Sequence, residues 1–274
     1  MALSKRERAR AFRGVQYALL AVVVVLAVLL VDWGEIRRAF FDIPVAKDQV
    51  PDIISTALVN TIVYSLLGFA FGLALALPLA LMKLSSVAPY RWLATVYVEF
   101  FRGVPALLVF VTFGYGVPLA FGFRFGIYTT VMLSLGLVGA AYMAETLRAG
   151  IQAVDRGQVE AARSLGMSQG RTMVTIVIPQ AARIVLPPLT NELIILTKDS
   201  SLIYLLGLAR EQYELTKFGR EALNTSNSMT PILFAGACYL IITIPLSYLS
   251  RRLESSGGAK KVSTPGSAEV EVEA

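Results

Sequence analysis

Residues 155–187, DRGQVEAARSLGMSQGRTMVTIVIPQAARIVLP, form a polar and basic segment between apolar stretches that are too long for a soluble core. Asp155 predicts the N-cap of a helix, and Gly166 predicts the end of that helix. Ser168 then predicts the cap of a second helix, which Pro179 is expected to stop. The segment therefore predicts two short helices joined by a hinge, with the character of a docking surface.

The first of these two helices is predicted to be amphipathic. Val159, Ala162 and Leu165 recur at helical spacing, so this side of the helix is expected to lie against protein. Glu160 and Arg163 fall on other sides, which are expected to face water.

Composition places the chain in the membrane class. Hydrophobic residues make up 55% and charged residues only 16% of the sequence, and the mean hydropathy is +0.64. Histidine is absent, which removes the commonest general base and the commonest metal ligand, and Cys238 has no second cysteine to pair with. No catalytic residue and no metal ligand is therefore assigned, and the net charge of +6 is explained by membrane topology rather than by a nucleic-acid partner.

Six apolar stretches predict membrane spans. They are residues 15–31, 57–82, 92–121, 126–144, 184–209 and 231–249. The first could be a secretory signal, but no Ala-x-Ala cleavage site follows it, so an uncleaved helix is favoured. The predicted fold class is all-α, a polytopic helical membrane protein with about six transmembrane helices.

Small and charged residues mark points of possible contact in these spans. Gly68 and Gly72 form a G-x-x-x-G spacing that permits close helix packing, although chance produces it about as often. Glu99 and Arg102 are three residues apart, so they can pair across a helical turn near an inner gate. The alternative is that Arg102 only marks the cytoplasmic end of a helix. Glu145 ends the fourth span and is a lesser candidate for a gate or structural role.

The stretch at residues 184–209 is chemically unusual because it contains Asn191, Glu192, Lys198 and Asp199. A charge near the centre of a lipid-facing helix costs about 2.5 to 3.5 kcal/mol, so these groups are expected to face protein or a wet cavity. Glu192 and Asp199 are seven residues apart, as are Asn191 and Lys198, which predicts one polar stripe. The alternative is internal pairing that fastens this helix into the bundle.

The distribution of Lys and Arg predicts the orientation. The segments on the side of the amino terminus contain more than twice as many of these residues as the segments on the other side, which predicts that both termini are cytoplasmic. This orientation places residues 148–183 in the cytoplasm and residues 210–230 outside. The tail, residues 251–274, is predicted to be disordered.

Several sequence blocks together resemble one family. They are residues 97–105 (YVEFFRGVP), 141–145 (AYMAE), 157–158 (GQ), 160–162 (EAA), 166 (G), 178–181 (IPQA) and 198–202 (KDSSL). Over about residues 53–250 the chain is similar to permease subunits of ATP-binding-cassette importers, in the polar amino acid branch that takes up histidine, glutamine or arginine. The resemblance implies a five-helix type I importer core at residues 53–250, preceded at residues 1–52 by a basic terminus, one extra transmembrane helix and an external loop.

The resemblance also implies partners. The loop at residues 148–183 would contain the coupling helix held by an ATPase, and the coupling residues would be Glu160, Ala161, Ala162, Arg163 and Gly166. The implied partners are two ATP-binding subunits, a second permease chain that is identical or homologous, an extracytoplasmic amino acid-binding protein and the lipid bilayer. No Gly directly precedes a Lys, so a G-x-x-x-x-G-K loop is absent from the sequence. ATP and magnesium are therefore expected on the ATPase, and no cofactor is expected on this chain.

The expected function is a non-enzymatic permease subunit of an ATP-driven importer that works by alternating access in a bacterial cytoplasmic (inner) membrane. The candidate substrate-binding residues are Asn191, Glu192, Lys198, Asp199 and Ser200. Two carboxylates favour an amino group or a cationic side chain, while Lys198 can balance them or meet an α-carboxylate. The alternative class is an ion- or proton-coupled secondary carrier, which the intramembrane charges would also suit. An intramembrane enzyme is disfavoured.

Overall fold

The computed structural model describes residues 5–256, in which the regular structure is helical and no strand occurs. The first seven helices are α1 (Lys5–Leu30), α2 (Trp33–Phe40), α3 (Ile43–Asp52), α4 (Val59–Leu84), α5 (Ala88–Gly103), α6 (Ala106–Val111) and α7 (Val117–Phe121). The other six are α8 (Ile127–Gln152), α9 (Arg156–Ser164), α10 (Gln169–Thr172), α11 (Ile178–Asp199), α12 (Leu215–Ser226) and α13 (Thr230–Ser256). Within residues 5–256, five helical stretches can cross a membrane, or six if one bent pair is counted. The predicted all-α polytopic class is confirmed.

Wider and tighter helical turns join several of these helices. π turns at Ile53–Leu58, Thr112–Gly116 and Met173–Val177 connect α3 to α4, α6 to α7 and α10 to α11. A 3₁₀ segment, Ser200–Leu205, continues α11, and a second one, Arg210–Gln212, precedes α12. Because π turns keep the chain helical, α3 to α4 and α10 to the end of the first 3₁₀ segment run as two long stretches, whereas Phe41 and Asp42 interrupt the helix between α2 and α3.

The centre of the bundle is the packing of α4 against α8. Gly68 of α4 lies against Leu135 of α8, and a Cβ atom on Gly68 would be only 2.5 Å from the Leu135 Cβ. The G-x-x-x-G spacing is therefore used for helix contact. Around this pair Tyr64, Phe110 and Met143 are fully buried in the same hydrophobic cluster.

Helix α1 stands apart from the bundle. Its large apolar side chains from Phe12 to Leu30 are between 48% and 80% exposed, and none is buried. A helix that is apolar all round and unburied by protein is suited to lipid on every side.

The predicted single span over residues 92–121 is wrong in shape. Helices α5 and α6 meet at an angle of 99°. The break falls at Val104 and Pro105, because proline disfavours helical backbone at the residue before it and cannot donate a backbone hydrogen bond. The bend separates the end of α5 from α6 and opens space beside α8.

The prediction that Pro179 stops the second loop helix is also wrong. Pro179 lies in the first turn of α11, directly after the Met173–Val177 π turn, and the chain passes through it as helix. A proline is tolerated there because N–H groups in a first turn need no intrahelical partner.

The carboxyl-terminal helix is longer than expected. α13 continues to Ser256, so the predicted end of the last span at residue 249 and the predicted tail boundary at residue 251 both fall inside it. The rest of the predicted disordered tail, residues 257–274, lies outside the described residues, as do residues 1–4.

The two ends of the bundle differ. Helices α9 and α10 lie beyond the carboxyl end of α8 at one end, called here the α9 end. At the other end, called here the α12 end, helix α12 lies against the amino end of α4. Residues 209–215, which lead into α12 and are called here the strap, lie against the same part of α4.

Candidate functional site

A cavity of about 470 Å³ lies between α5, α6, α8 and α11. Its polar groups are Arg102 from the end of α5, Tyr142 from α8, and Glu192 and Asp199 from α11. The rest of the wall includes the backbone at the α5–α6 bend and the side chains of Val138 and Ile195. The bend therefore creates the cavity and brings charged groups from two distant parts of the sequence to it.

The charges in this cavity are not neutralised by one another. The Arg102 guanidinium carbon lies 5.6 Å from the centre of the Tyr142 ring, a cation–π contact that orients the side chain. Glu192 is 9% exposed and Asp199 is half-buried. Across residues 5–256 no ion pair joins Arg102 to either carboxylate. The cavity thus brings one guanidinium and two carboxyl groups together without an ion pair between them.

The predicted polar stripe of α11 is divided between two faces. Glu192 and Asp199 line the cavity, whereas Asn191 and Lys198 are exposed on an adjacent face. Each step along a helix rotates the side chain by about 100°, so two rows one residue apart do not share a direction. Ser200 is buried and donates from Oγ to the Thr197 carbonyl oxygen at 2.7 Å. These three residues do not line this cavity, which corrects the single-stripe prediction.

The predicted pairing of Glu99 with Arg102 does not occur. Glu99 is exposed on α5, and Arg102 contacts Tyr142 instead. Arg102 lies in the last turn of α5 and also lines the cavity.

Glu145 lies outside the cavity and joins α4 to α8. Its carboxylate pairs with Lys83 of α4 and accepts hydrogen bonds from Arg148 Nη2 at 2.7 Å and Nε at 2.9 Å. Arg148 Nη1 also donates to Gln152 Oε1 at 2.6 Å. The side chains of Lys83 and Glu145 are only 13% and 20% exposed, so this pair is largely shielded from water. Its position indicates a fastening role near the α9 end.

The predicted caps of the α9–α10 loop are confirmed. Asp155 Oδ1 accepts a hydrogen bond from the backbone N–H of Gly157 at 2.6 Å, and Ser168 Oγ accepts one from Arg171 at 3.3 Å. Gly166 follows the end of α9 with φ of +81°, a left-handed conformation that favours glycine. The hinge between the two short helices is thus set by local chemistry.

The faces of α9 largely follow the sequence pattern. Ala162 is buried and Val159 packs on a small cluster of Val154, Val177 and Ala181. The predicted coupling residues other than Ala162 are exposed: Glu160, Ala161, Arg163 and Gly166. Leu165, expected to lie against protein, is 85% exposed because it falls just beyond the last residue of α9. An apolar side chain therefore projects from the loop beside the hinge.

The α12 end is closed by hydrogen bonds from one face of α4 to the strap. Asn60 Nδ2 donates to two strap carbonyl oxygens at 2.8 and 3.0 Å, and the Tyr64 hydroxyl donates to a third at 3.0 Å. Thr61 Oγ1 accepts from the Leu215 backbone N–H at 3.1 Å. These residues were not among the predicted site residues; their spacing on one helix face is the signal that could have found them.

Glu214, a strap residue that was also unassigned from sequence, is fully buried at the start of α12. Its carboxylate caps α12 by accepting from the backbone N–H groups of Thr216 and Lys217, each at 2.6 Å, and Tyr239 of α13 donates to it at 3.0 Å. Burial raises the pKa of Glu214 to about 7, although these hydrogen bonds favour the ionised form. A titratable group is therefore built into the closure of the α12 end.

A polytopic helical bundle with an exposed loop helix at one end and a charged cavity inside has the architecture of a membrane transport component. Residues 68–256 match the family described as "Binding-protein-dependent transport system inner membrane component". The chain belongs to this family and is a multi-pass membrane protein of it. Helices α1 to α3 precede the matched residues.

Curated relatives match most of the chain. The arginine transport system permease protein ArtQ of Bacillus subtilis (strain 168) is 34% identical over 206 residues, which are 75% of this chain and 92% of ArtQ. The probable glutamine ABC transporter permease protein GlnM of the same organism is 36% identical over 201 residues, 72% of this chain and 91% of GlnM.

Solved structures show the same fold. A chain in the crystal structure of an amino acid ABC transporter with histidines has 34% sequence identity and a TM-score of 0.71, and the match covers 78% of this chain and 98% of that chain. A chain of the inward-facing MetNI methionine ABC transporter has a TM-score of 0.65, covering 77% of this chain and 98% of that chain. At 16% identity, this second likeness concerns the fold alone.

Proposed function

We propose that this chain is the membrane-spanning permease subunit of an ATP-driven importer that moves a polar amino acid through the cavity between α5, α6, α8 and α11. The observation that carries the proposal is the presence of Arg102, Glu192 and Asp199 in one cavity without ion pairs between Arg102 and the two acids. A zwitterionic amino acid can bind both kinds of group, because its carboxylate can pair with Arg102 and its ammonium group can pair with the two acids. The relatives named as arginine and glutamine permeases support the same substrate class.

Arg102 is the proposed partner of the substrate α-carboxylate. A guanidinium offers parallel N–H donors that match a carboxylate, and its stacking on Tyr142 limits the directions in which it can point. Glu192 and Asp199 then accept from the α-ammonium group. Since two acids face one cation, a basic side chain is favoured over an acidic one.

Transport is proposed to follow alternating access driven by partner chains. The α9 end would face the cytoplasm, where exposed Leu165 and Arg163 would contact an ATPase. Two ATP-binding subunits, which bind ATP and Mg²⁺, would act on a pair of permease chains, identical or homologous. An extracytoplasmic binding protein would deliver substrate at the α12 end, and this chain would have no enzymatic activity. The site of action would be a bacterial cytoplasmic membrane with both termini inside.

The transport proposal is tested in proteoliposomes that contain the permease, its ATPase and its binding protein. Uptake of radiolabelled arginine or glutamine should require ATP and should persist when an uncoupler removes the proton gradient. If uptake occurred without the ATPase and the uncoupler abolished it, the chain would be a secondary carrier and the proposal would be overturned.

The cavity assignment is tested by Arg102→Met and Asp199→Asn. Loss of one charge-assisted hydrogen bond should lower the ratio kcat/KM for uptake by about 10- to 100-fold in each variant. The matched control is Lys47→Met, an exposed residue of α3 outside the cavity, which should change uptake less than about twofold. The unvaried protein should reject the decarboxylated amine of its substrate, and Arg102→Met should lose this discrimination. Equal rejection by both proteins would contradict the role of Arg102.

The coupling assignment is tested at Gly166. A β-branched residue is strained at φ of +81°, so Gly166→Val should move the hinge without disturbing the membrane helices. Uptake should fall while membrane insertion and assembly with the ATPase persist. Gly170→Ala is the control, because an added Cβ there meets nothing within 4 Å. Normal uptake by Gly166→Val would remove the hinge from the mechanism.

A further inference from the structure

A pocket of about 430 Å³ lies at the α9 end, between the carboxyl end of α8, α9 and α10. Its floor is apolar: Val154 and Val177 are buried and Val159 is half-buried. Two exposed arginines, Arg156 and Arg163, are also among its lining residues. The pocket therefore combines an apolar floor with a cationic rim.

No carboxylate balances the two arginines of this pocket. None of the described residues that line it is acidic, and between residues 5 and 256 neither Arg156 nor Arg163 forms an ion pair. Arg163 Nη1 donates to the Met167 carbonyl oxygen at 2.6 Å, which holds this guanidinium beside the hinge. The pocket thus favours an occupant that carries negative charge and some apolar surface.

The chain itself contains a segment with this character. Residues 269–273 read EVEVE, and none of residues 262–274 is Lys or Arg. In an extended backbone successive side chains point to opposite sides. The three glutamates would then share one side, and Val270 and Val272 would share the other. This alternation matches a site that has an apolar floor and a cationic rim.

The segment is close enough to the pocket along the chain. Ser250 Oγ of α13 donates to the Pro187 carbonyl oxygen at 3.2 Å, and Pro187 lies ten residues after Val177 of the pocket. With a helical rise of about 1.5 Å per residue and helices about 10 Å apart, Ser256 lies within about 35 Å of Val177. The thirteen residues from Ser256 to Glu269 can span up to about 43 Å. The acidic segment can therefore reach the pocket of its own chain.

We propose that residues 269–273 dock in this pocket of the same chain, with their glutamates against Arg156 and Arg163 and their valines on the apolar floor. Tethering favours this occupant, because a segment on a short linker has a high effective concentration at the site. A small free anion would meet the two arginines but would leave the apolar floor uncovered.

The docked segment would brace the hinge of the α9–α10 loop. The pocket is lined by α9 on one side of Gly166 and by α10 on the other, so one occupant touches both short helices. The proposal goes beyond the transport function, because it gives a role to residues that follow the family match, which ends at residue 256.

The first test is disulfide cross-linking of the full-length chain in phosphatidylcholine nanodiscs. The sequence has one cysteine, so Cys238→Ala provides a background without thiols. Val272→Cys with Met173→Cys, which lines the pocket, should cross-link at least about tenfold faster than Val272→Cys with Val174→Cys. Val174 is the matched control because it is the next residue, is 65% exposed and does not line the pocket. Equal rates for the two pairs would overturn the proposal.

The second test removes the charges of the rim. Arg156→Gln with Arg163→Gln should slow the Met173 cross-link by about tenfold or more, because charge-assisted hydrogen bonds to the glutamates are lost. Arg171→Gln with Arg183→Gln is the control, since both residues are exposed near the same loop but do not line the pocket. A fast cross-link that survives the first double substitution would contradict the proposed contacts.

The cross-linked product also distinguishes other occupants. A disulfide within one chain leaves the mass of a monomer, whereas a covalent dimer would place the segment in a second copy and refute docking in the same chain. If phosphatidylglycerol in the nanodisc abolished the cross-link, a lipid phosphate would be the occupant and the proposal would fail.

A third measurement needs no cysteine. Glu269→Gln, Glu271→Gln and Glu273→Gln together should release the segment and speed hydrogen exchange of the backbone amides in residues 156–172. Exchange in α8 should stay the same. If exchange in residues 156–172 were also unchanged, the segment would not brace the hinge.

Discussion

Gly72 of α4 and Gly136 of α8 are in direct backbone contact. A Cβ atom on Gly72 would lie 3.0 Å from the Gly136 carbonyl oxygen, and one on Gly136 would lie 3.2 Å from the Gly72 nitrogen. In lipid, helices associate through close packing because hydrocarbon gives no hydrophobic drive between them. Val138 and Tyr142 follow on the same α8, so this contact holds one wall of the cavity in place.

Gly136→Ala is expected to lower the free energy of unfolding by about 1 to 3 kcal/mol. The new Cβ would lie 2.4 Å from the Phe71 ring and 3.1 Å from the Gly68 carbonyl oxygen, and the backbone atom cannot move aside. Thermal unfolding in detergent measures the change. Gly236→Ala on α13 is the control, because an added Cβ there meets nothing within 4 Å. Equal melting temperatures for the two variants would show that the α4–α8 contact is not tight.

Glu145→Gln is expected to destabilise the protein by about 1 to 3 kcal/mol, because Lys83 would keep a largely shielded charge without its partner. Lys83→Met in the same chain should recover part of that loss. A double-mutant cycle on unfolding free energies measures the coupling between the two residues. Strictly additive effects would mean that the ion pair contributes nothing.

Asn60→Ala is expected to loosen the strap by removing two hydrogen bonds to its carbonyl oxygens, a loss of about 1 to 3 kcal/mol. Hydrogen exchange of the backbone amides in residues 211–215 should become faster while exchange in α8 stays slow. Thr190→Val removes only a bond within its own helix and serves as the control. Unchanged protection of the strap in Asn60→Ala would contradict its anchoring by α4.

The pKa of Glu214 makes stability depend on pH. Because burial raises this pKa from 4.5 to about 7, the folded state favours the protonated carboxyl. Its contribution to stability is therefore complete below pH 4.5 and is lost as the pH rises through 7, an effect on the order of 1 to 3 kcal/mol. Glu214→Gln should flatten the pH dependence of the melting temperature in this window. Glu221→Gln, a more exposed carboxylate, should leave it unchanged; identical slopes for parent and Glu214→Gln would exclude the effect.

The sequence was sufficient for features that depend on local chemistry or on apolar length. Long uncharged stretches gave the polytopic helical class, because a membrane span needs about 20 apolar residues whatever its neighbours are. Asp155, Gly166 and Ser168 gave the caps and hinge of the α9–α10 loop, since capping involves backbone groups within a few residues. The Val104–Pro105 break depends on equally local chemistry, because proline disfavours helical backbone at the residue before it.

Only the tertiary structure decided which charged groups meet. Helical spacing gave the angles between Asn191, Glu192, Lys198 and Asp199, but the packing of α11 on α8 selected the row of Glu192 and Asp199 for the cavity. The 99° bend turned Arg102 toward the same cavity, although about 90 residues separate it from Glu192 in the chain. A periodic pattern specifies directions around one helix axis, whereas the direction that is buried depends on contacts with distant parts of the chain.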